Sequence, residues 1–162
     1  MSTVQFRSIE PADNPALAHI IRSVLIEHNA AKQGTAFSDP ETDFIYEQYQ
    51  SPGAHYFVAV VGGQVAGGAG INVLQGEGDG KVCELQKVFL LPTYRGMGIA
   101  RQAIERCLAF AKAQGYTHCY LETLPELANA IGIYEKFGFA YLPGPMGNTG
   151  HNGCDIWMIK EL

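Results

Sequence analysis

The sequence is short of everything that would carry a chain into a membrane. Its apolar runs, such as residues 56–61 and 88–91, fall far below the roughly 20 residues that cross a bilayer, so no membrane partner is expected. The opening Met-Ser-Thr-Val-Gln-Phe-Arg has no basic segment followed by an apolar stretch, so it does not read as a secretion signal, and a cytoplasmic location is expected. Positive charge is scarce: 11 Lys and Arg stand against 16 Asp and Glu, a net charge of −5. No cluster of cations is long enough to follow a phosphate backbone, so no nucleic acid partner is expected. Cysteine is sparse as well. Cys83, Cys107, Cys119 and Cys154 are widely spaced, three of them in segments that read as regular elements, and they read as reduced thiols. His151 and Cys154 have a ligand-like spacing, but no second clustered pair completes a four-ligand site, so no metal is expected.

What remains is ordinary globular composition, 47% hydrophobic and 17% charged over 162 residues, which suits a single domain spanning 1–162. Residues 4–9 alternate with period two and read as a first strand. Asn14-Pro15 offers a cap and a first-turn proline to a helix with Leu17, Ile20, Ile21, Val24 and Leu25 on one face. Ser38-Asp-Pro-Glu41 has the form of a capping box before a second, shorter helix carrying Phe44, Ile45 and Tyr49. Gly62-Gly63 marks a tight hairpin between two strands, and residues 82–91 form a long strand stopped by Pro92. A helix follows from Gly98 to about Gln114, ended by Gly115, then a strand at 118–122. Thr123-Leu-Pro-Glu126 reads as a further capping box opening a helix that ends at Gly138. Residues 139–142 and 154–160 read as closing strands joined by a Pro/Gly-rich loop. Strand, helix, strand is the signature of a parallel crossover, here set within hairpins.

The segment Glu84-Leu-Gln-Lys-Val-Phe-Leu-Leu-Pro-Thr-Tyr-Arg-Gly-Met-Gly-Ile-Ala100 is a strand, a proline stop and a glycine turn from which a helix starts. The first turn of a helix leaves about four N–H donors free and carries roughly half a positive charge, so it attracts an anion. Gly96 and Gly98 let the main chain approach a phosphate closely, and Arg95 can add a side-chain charge. A nucleoside-triphosphate loop would need Gly-Lys followed by Ser or Thr, whereas this turn continues Gly-Ile-Ala-Arg. A dinucleotide fold is disfavoured because an antiparallel hairpin precedes the loop.

Over nearly its whole length the chain resembles the Gcn5-related N-acetyltransferases. Arg95-Gly96-Met97-Gly98-Ile99-Ala100 is similar to that family's Arg/Gln-x-x-Gly-x-Gly/Ala turn, and Ala130, Tyr134, Gly138 and Phe139 match a second signature in the right order. The resemblance implies an α+β, three-layer fold: a mixed, mostly antiparallel sheet of about six or seven strands with helices on both faces. It implies acetyl-CoA as cosubstrate, with the pyrophosphate at residues 95–100 and the pantetheine arm beside the main chain of Val88, Phe89 and Leu90, where the sheet often splays. It implies transfer of an acetyl group to the primary amine of a small molecule or peptide; a non-catalytic acyl-CoA sensor and an unrelated nucleotide-binding module are the competing readings. Dimerisation is common in that family, so a homodimer is admitted. One departure is that many relatives carry an Asn seven residues before the tyrosine, and here that position is Leu127. Asn129 lies two positions on, which on a helix turns it about 200° away, so the asparagine's role is not transferred.

Acyl transfer to an amine needs a base, an oxyanion partner and an acid for the thiolate. The Leu90 N–H is the candidate for the oxyanion. Tyr134 is the candidate acid by its family position, against a core-packing role on the face it shares with Leu127, Ala130 and Ile131. Glu84 is the leading base, on one face with Gln86 and Val88 by alternation, against an exposed carboxylate at a strand start. Glu122, Asp155 and His151 are weaker candidates. Tyr46, Tyr49, His55, His151 and Asp155 are candidates to line the acceptor pocket.

Overall fold

Residues 3–162 are described by a computed structural model of the chain; Met1 and Ser2, which open the N-terminal stretch read above, lie outside it. Strand β1 (Val4–Ser8) leads through a 3-10 turn into helix α1 (Asn14–Glu27), and a loop brings the chain to the short helix α2 (Ile45–Gln48). Strand β2 (His55–Val61) pairs with β1 and turns through Gly62 and Gly63 into β3 (Gln64–Val73). Both turn glycines have positive φ, 57° and 80°, as a two-residue hairpin matched to strand twist requires. Strand β4 (Val82–Leu90) adds antiparallel to β3, and helix α3 (Ile99–Ala113) then crosses over to β5 (His118–Thr123), parallel to β4. Helix α4 (Ala128–Lys136) and strands β6 (Ala140–Leu142) and β7 (Ile156–Glu161) complete a seven-stranded mixed sheet in the order β1-β2-β3-β4-β5-β7-β6.

The apolar faces decide which side each helix takes. Ile104 and Cys107 of α3 and Tyr134 of α4 pack on one face against Ile71, Leu85, Leu121 and Met158. Leu17, Ile21 and Leu25 of α1 and Ile45 of α2 pack on the other, against Tyr56 and Val58. Each fully buried Leu or Ile contributes about 1.5–3 kcal/mol. Cys83, Cys107 and Cys119 are buried free thiols within the first of these clusters, as their placement in regular elements suggests.

None of the three expected caps forms as read. Asn14 does not cap α1; its amide oxygen accepts the Tyr46 backbone N–H at 2.8 Å and so ties α2 to α1. Asp39 rather than Ser38 caps the turn Pro40–Phe44, accepting from the Glu41 N–H at 2.9 Å. Thr123 is the last residue of β5, opposite Ile156, so its box does not form, and α4 starts only at Ala128 with no side-chain cap. Polar side chains that can cap locally can also bond elsewhere, and here the fold supplies the alternatives.

One irregularity shapes the site. In the β3–β4 ladder Gly70 stands opposite Gln86 and Gly68 opposite Phe89, so β4 carries one residue more than β3. The bulge falls at Lys87, whose φ is 52°, and the Tyr56 hydroxyl donates to its carbonyl at 2.8 Å. Bulges re-aim the side chains that follow them. Strict alternation therefore fails: Gln86 reaches the Tyr49 hydroxyl on one face, whereas Val88 packs into the cluster under α3 on the other.

Candidate active site

Strands β4 and β5 pair only at Val82–His118, Cys83–Cys119 and Glu84–Tyr120. Beyond Glu84 they diverge, since β4 stays with β3 while β5 follows β7. A cavity of about 450 Å³ opens between them, reaching from Glu84 and Glu122 to the start of α3. The Leu91 N–H donates to Ala66 of β3 at 2.9 Å. By alternation the main-chain groups of Leu90, and of Val88 before it, turn toward the gap. Unpaired strand edges of this kind accept an extended ligand as an additional strand.

At the far end of the gap, Gly98 stands before α3 with φ 74° and Gly96 with φ 81°. A β-carbon on Gly96 would meet nothing within 4 Å, so backbone conformation and not crowding demands glycine there. Gln102 is the first residue of α3 to bond back, its N–H donating to the Gly98 carbonyl at 3.1 Å. The N–H groups before it are free for an anion. The Arg95 side chain behaves otherwise than expected: it forms a bidentate pair with Glu27 at 2.7 and 2.8 Å and donates to the Leu90 carbonyl at 3.2 Å. Its charge anchors the turn to the end of α1.

Glu84 is not the exposed carboxylate that a strand start allows; it is 5% exposed. Its Oε1 accepts the Gln86 amide at 2.6 Å, and Gln86 is itself fixed by the Tyr49 hydroxyl at 2.7 Å. Burial pushes its pKa up to about 7; the Gln86 amide opposes this, the Glu122 charge adds to it, and Lys87 opposes it. A carboxyl poised there exchanges protons at neutral pH. Tyr134 is 6% exposed and packs edge-on against Phe139, with ring centroids 6.0 Å apart. Burial, then Cys107 and Cys119, hold its phenol well above the ordinary tyrosine range, so it keeps its proton. Its hydroxyl has no hydrogen-bond partner among the described residues. Because no sealed side-chain oxygen there lacks one, the hydroxyl is reached from the cavity it lines.

The weaker base candidates separate clearly. Glu122 accepts the Tyr120 hydroxyl on one oxygen and the Thr149 hydroxyl on the other, each at 2.6 Å, and so clasps the late loop over the site. His151 lines the cavity and lies 3.1 Å from Asp39. Asp155 is exposed and lies outside the cavity lining. Of the candidate acceptor residues only His151 reaches the cavity; Tyr49 acts behind it through Gln86, Tyr46 stands away, and His55 packs on Phe57 at the far end of β2.

Glu84, Val88, Phe89, Leu90, Arg95, Gly96, Gly98, Ile99, Ala100 and Tyr134 all line this one cavity, and Met97 projects outward between the two glycines, 43% exposed. Asn129 lines it too, against the expectation from helical rotation: Leu127 stands outside α4 with φ −95° and ψ 49°, so the two positions are not related by a helix. Gln86 and Lys87 were not singled out by the sequence. The glycines of β3 were the available signal, since a β-carbon on Gly70 would lie 2.6 Å from the Tyr56 ring and 2.8 Å from the Tyr49 ring, the two tyrosines that hold Gln86 and the bulge.

Comparison with known proteins adds to this geometry. A family profile described as Acetyltransferase (GNAT) family matches residues 22–139. The chain is 40% identical over 157 residues to the uncharacterized N-acetyltransferase YjgM of Escherichia coli (strain K12), covering 96% of this chain and 93% of that one. A GNAT-family acetyltransferase structure from Staphylococcus aureus Mu50 superposes with a TM-score of 0.85 at 18% identity, covering 98% and 99% of the two chains. The structure of yncA, a putative acetyltransferase from Salmonella typhimurium solved with acetyl-CoA, superposes at 0.75 with 22% identity, covering 99% and 94%.

Proposed function

Because the chain belongs to the GNAT acetyltransferase family, we propose that it transfers an acetyl group from acetyl-CoA to the primary amine of a small molecule or peptide, with Glu84 as base and Tyr134 as acid. That it is an acyl-CoA-dependent acetyltransferase follows from the family. The assignment of residues is carried by one observation: a buried carboxyl with a pKa of about 7 and an unbonded phenol line the same gap between diverging strands.

The chain has the groups to hold the cosubstrate. The free N–H groups ahead of Gln102 and the two left-handed glycines suit a pyrophosphate, and the open edge of Val88 together with the Leu90 N–H suits the pantetheine arm. When bound, acetyl-CoA supplies a thioester whose acyl carbon an amine can attack. Glu84, ionised above pH 7, takes the proton from the acceptor's ammonium, directly or through water, and leaves the nitrogen lone pair free. The Leu90 N–H faces the charge that develops on the acyl oxygen. Tyr134 gives its phenolic proton to the sulfur as the carbon–sulfur bond breaks; the second nitrogen proton leaves to solvent as the amide forms, and Tyr134 regains a proton from solvent. Thiol release measured across a panel of amines with acetyl-CoA tests the reading. At least one amine should raise release above the hydrolytic background; coenzyme A binding with no amine responding would return the chain to a sensor role.

A further inference from the structure

Lys87 has no part in this scheme, yet its placement is costly. It is one of two non-glycine residues with positive φ among the described residues, the other being Asn29. Asparagine enters that region readily and lysine does not, so the strain points to use at a site. The bulge and the Tyr56 hydroxyl hold Lys87 so that it lines the cavity. Among the described residues its ammonium makes no salt bridge and no side-chain hydrogen bond, and since no sealed side-chain nitrogen there lacks a partner, it is reached from the cavity. Burial draws its pKa down, opposed by Glu84, Asp39 and Glu41. Asp39 and Glu41, whose charges act on it, belong to the loop that meets Thr149 and His151 around a second hollow of about 350 Å³. On the acetyl-transfer reading the acceptor's amine meets Glu84 in this cavity, three positions from Lys87 on the same strand. Arg95 and Arg101 also line the cavity, but Arg95 is paired with Glu27 and Arg101 with Glu105, so Lys87 is, among the described residues, the unpaired cation that stands with Glu84 and Glu122 and complements a molecule bearing both charges.

We infer that Lys87 is a specificity-determining residue that pairs with a carboxylate of the acceptor, so that the preferred acceptors are amines with a carboxylate close to the amino group, such as free α-amino acids. This rests on the acetyl-transfer reading above. Glu84 and Lys87 lie three positions apart on one strand, about 10 Å along the main chain at most, and two side chains of this length can converge on one small zwitterion. The carboxylate end is held while the ammonium end loses its proton.

The test uses matched acceptors, an amino acid, its amide and its decarboxylated amine, in a thiol-release assay on the wild type and on Lys87→Gly, Lys87→Met and Lys87→Arg. Hydrogen bonds between charged groups imply that the wild type favours the carboxylate member by roughly 10- to 100-fold in kcat/KM. Lys87→Met and Lys87→Gly should narrow that ratio to within about threefold by raising KM for the carboxylate member, whereas Lys87→Arg keeps a preference. Lys87→Gly accepts the left-handed φ without strain, so a loss shared by both variants comes from the missing charge. Equal use of the three acceptors by the wild type, or a ratio unmoved in both uncharged variants, would overturn the inference while leaving acetyl transfer intact. Silence toward every amine, or no acetyl-CoA binding in calorimetry, would instead overturn the reading beneath it.

Discussion

At the scale of single residues, environment separates candidates that look alike in sequence. Glu84 and Glu122 are both strand carboxylates, but both oxygens of Glu122 are engaged by hydroxyls, whereas only one oxygen of Glu84 is, by an amide. The residue type and place of Glu84 were legible; its burial was not, because it depends on two flanking strands and on Tyr49, 35 positions earlier in the chain. Lys87 was illegible for a similar reason, since a bulge is a mismatch between two strands and has no local mark on one. Tyr134→Phe removes one oxygen from a well-packed ring. It should lower kcat by roughly 100-fold or more and leave the calorimetric acetyl-CoA affinity unchanged. An unchanged kcat would make Tyr134 a packing residue alone.

At the scale of elements, the mouth of α3 and the glycine stretch of β3 carry the site. The turn at residues 95–100 was readable because both glycines are required by left-handed backbone, at 81° and 74°. Gly98→Val strains that conformation by about 1–2 kcal/mol and crowds the approach to the free N–H groups. Calorimetry should show coenzyme A binding weakened at least tenfold, and affinity equal to wild type would mean that the turn does not hold the diphosphate. Gly70→Ala acts from behind the site, pressing a β-carbon onto the Tyr49 and Tyr56 rings. Thermal denaturation should register a loss of about 1–3 kcal/mol, accompanied by lower activity as Gln86 shifts. The caps were the least legible part. Asn14 and Thr123 each offer a local bond, and only the assembled fold decides whether a distant partner is better placed, whereas Ser38 loses the cap to its neighbour Asp39.

At the scale of the whole molecule, the order of elements was legible because hairpin glycines, helical faces and one crossover admit few arrangements. The gap between β4 and β5 was not, because it is set by where pairing stops and not by what the strands are made of. The gap also couples stability to pH. Glu84 has a folded pKa of about 7 against an ordinary value of 4.5, so between these limits the folded chain holds a proton that the unfolded chain releases. The stability this confers is complete below about pH 4.5 and is lost as pH rises through 7, an effect on the order of 3 kcal/mol. Between pH 5 and 8 the wild-type melting temperature should therefore fall relative to that of Glu84→Gln. Parallel curves would show that Glu84 titrates as an ordinary carboxylate.

The central claim is that this buried carboxyl accepts the amine's proton. The pH dependence of kcat/KM for wild type and Glu84→Gln, measured with one responsive amine, tests it most directly. The wild-type profile should rise with an apparent pKa of about 7, and the variant should lose that limb and roughly 100- to 10,000-fold in rate. The same limb at the same pH in Glu84→Gln would contradict the account.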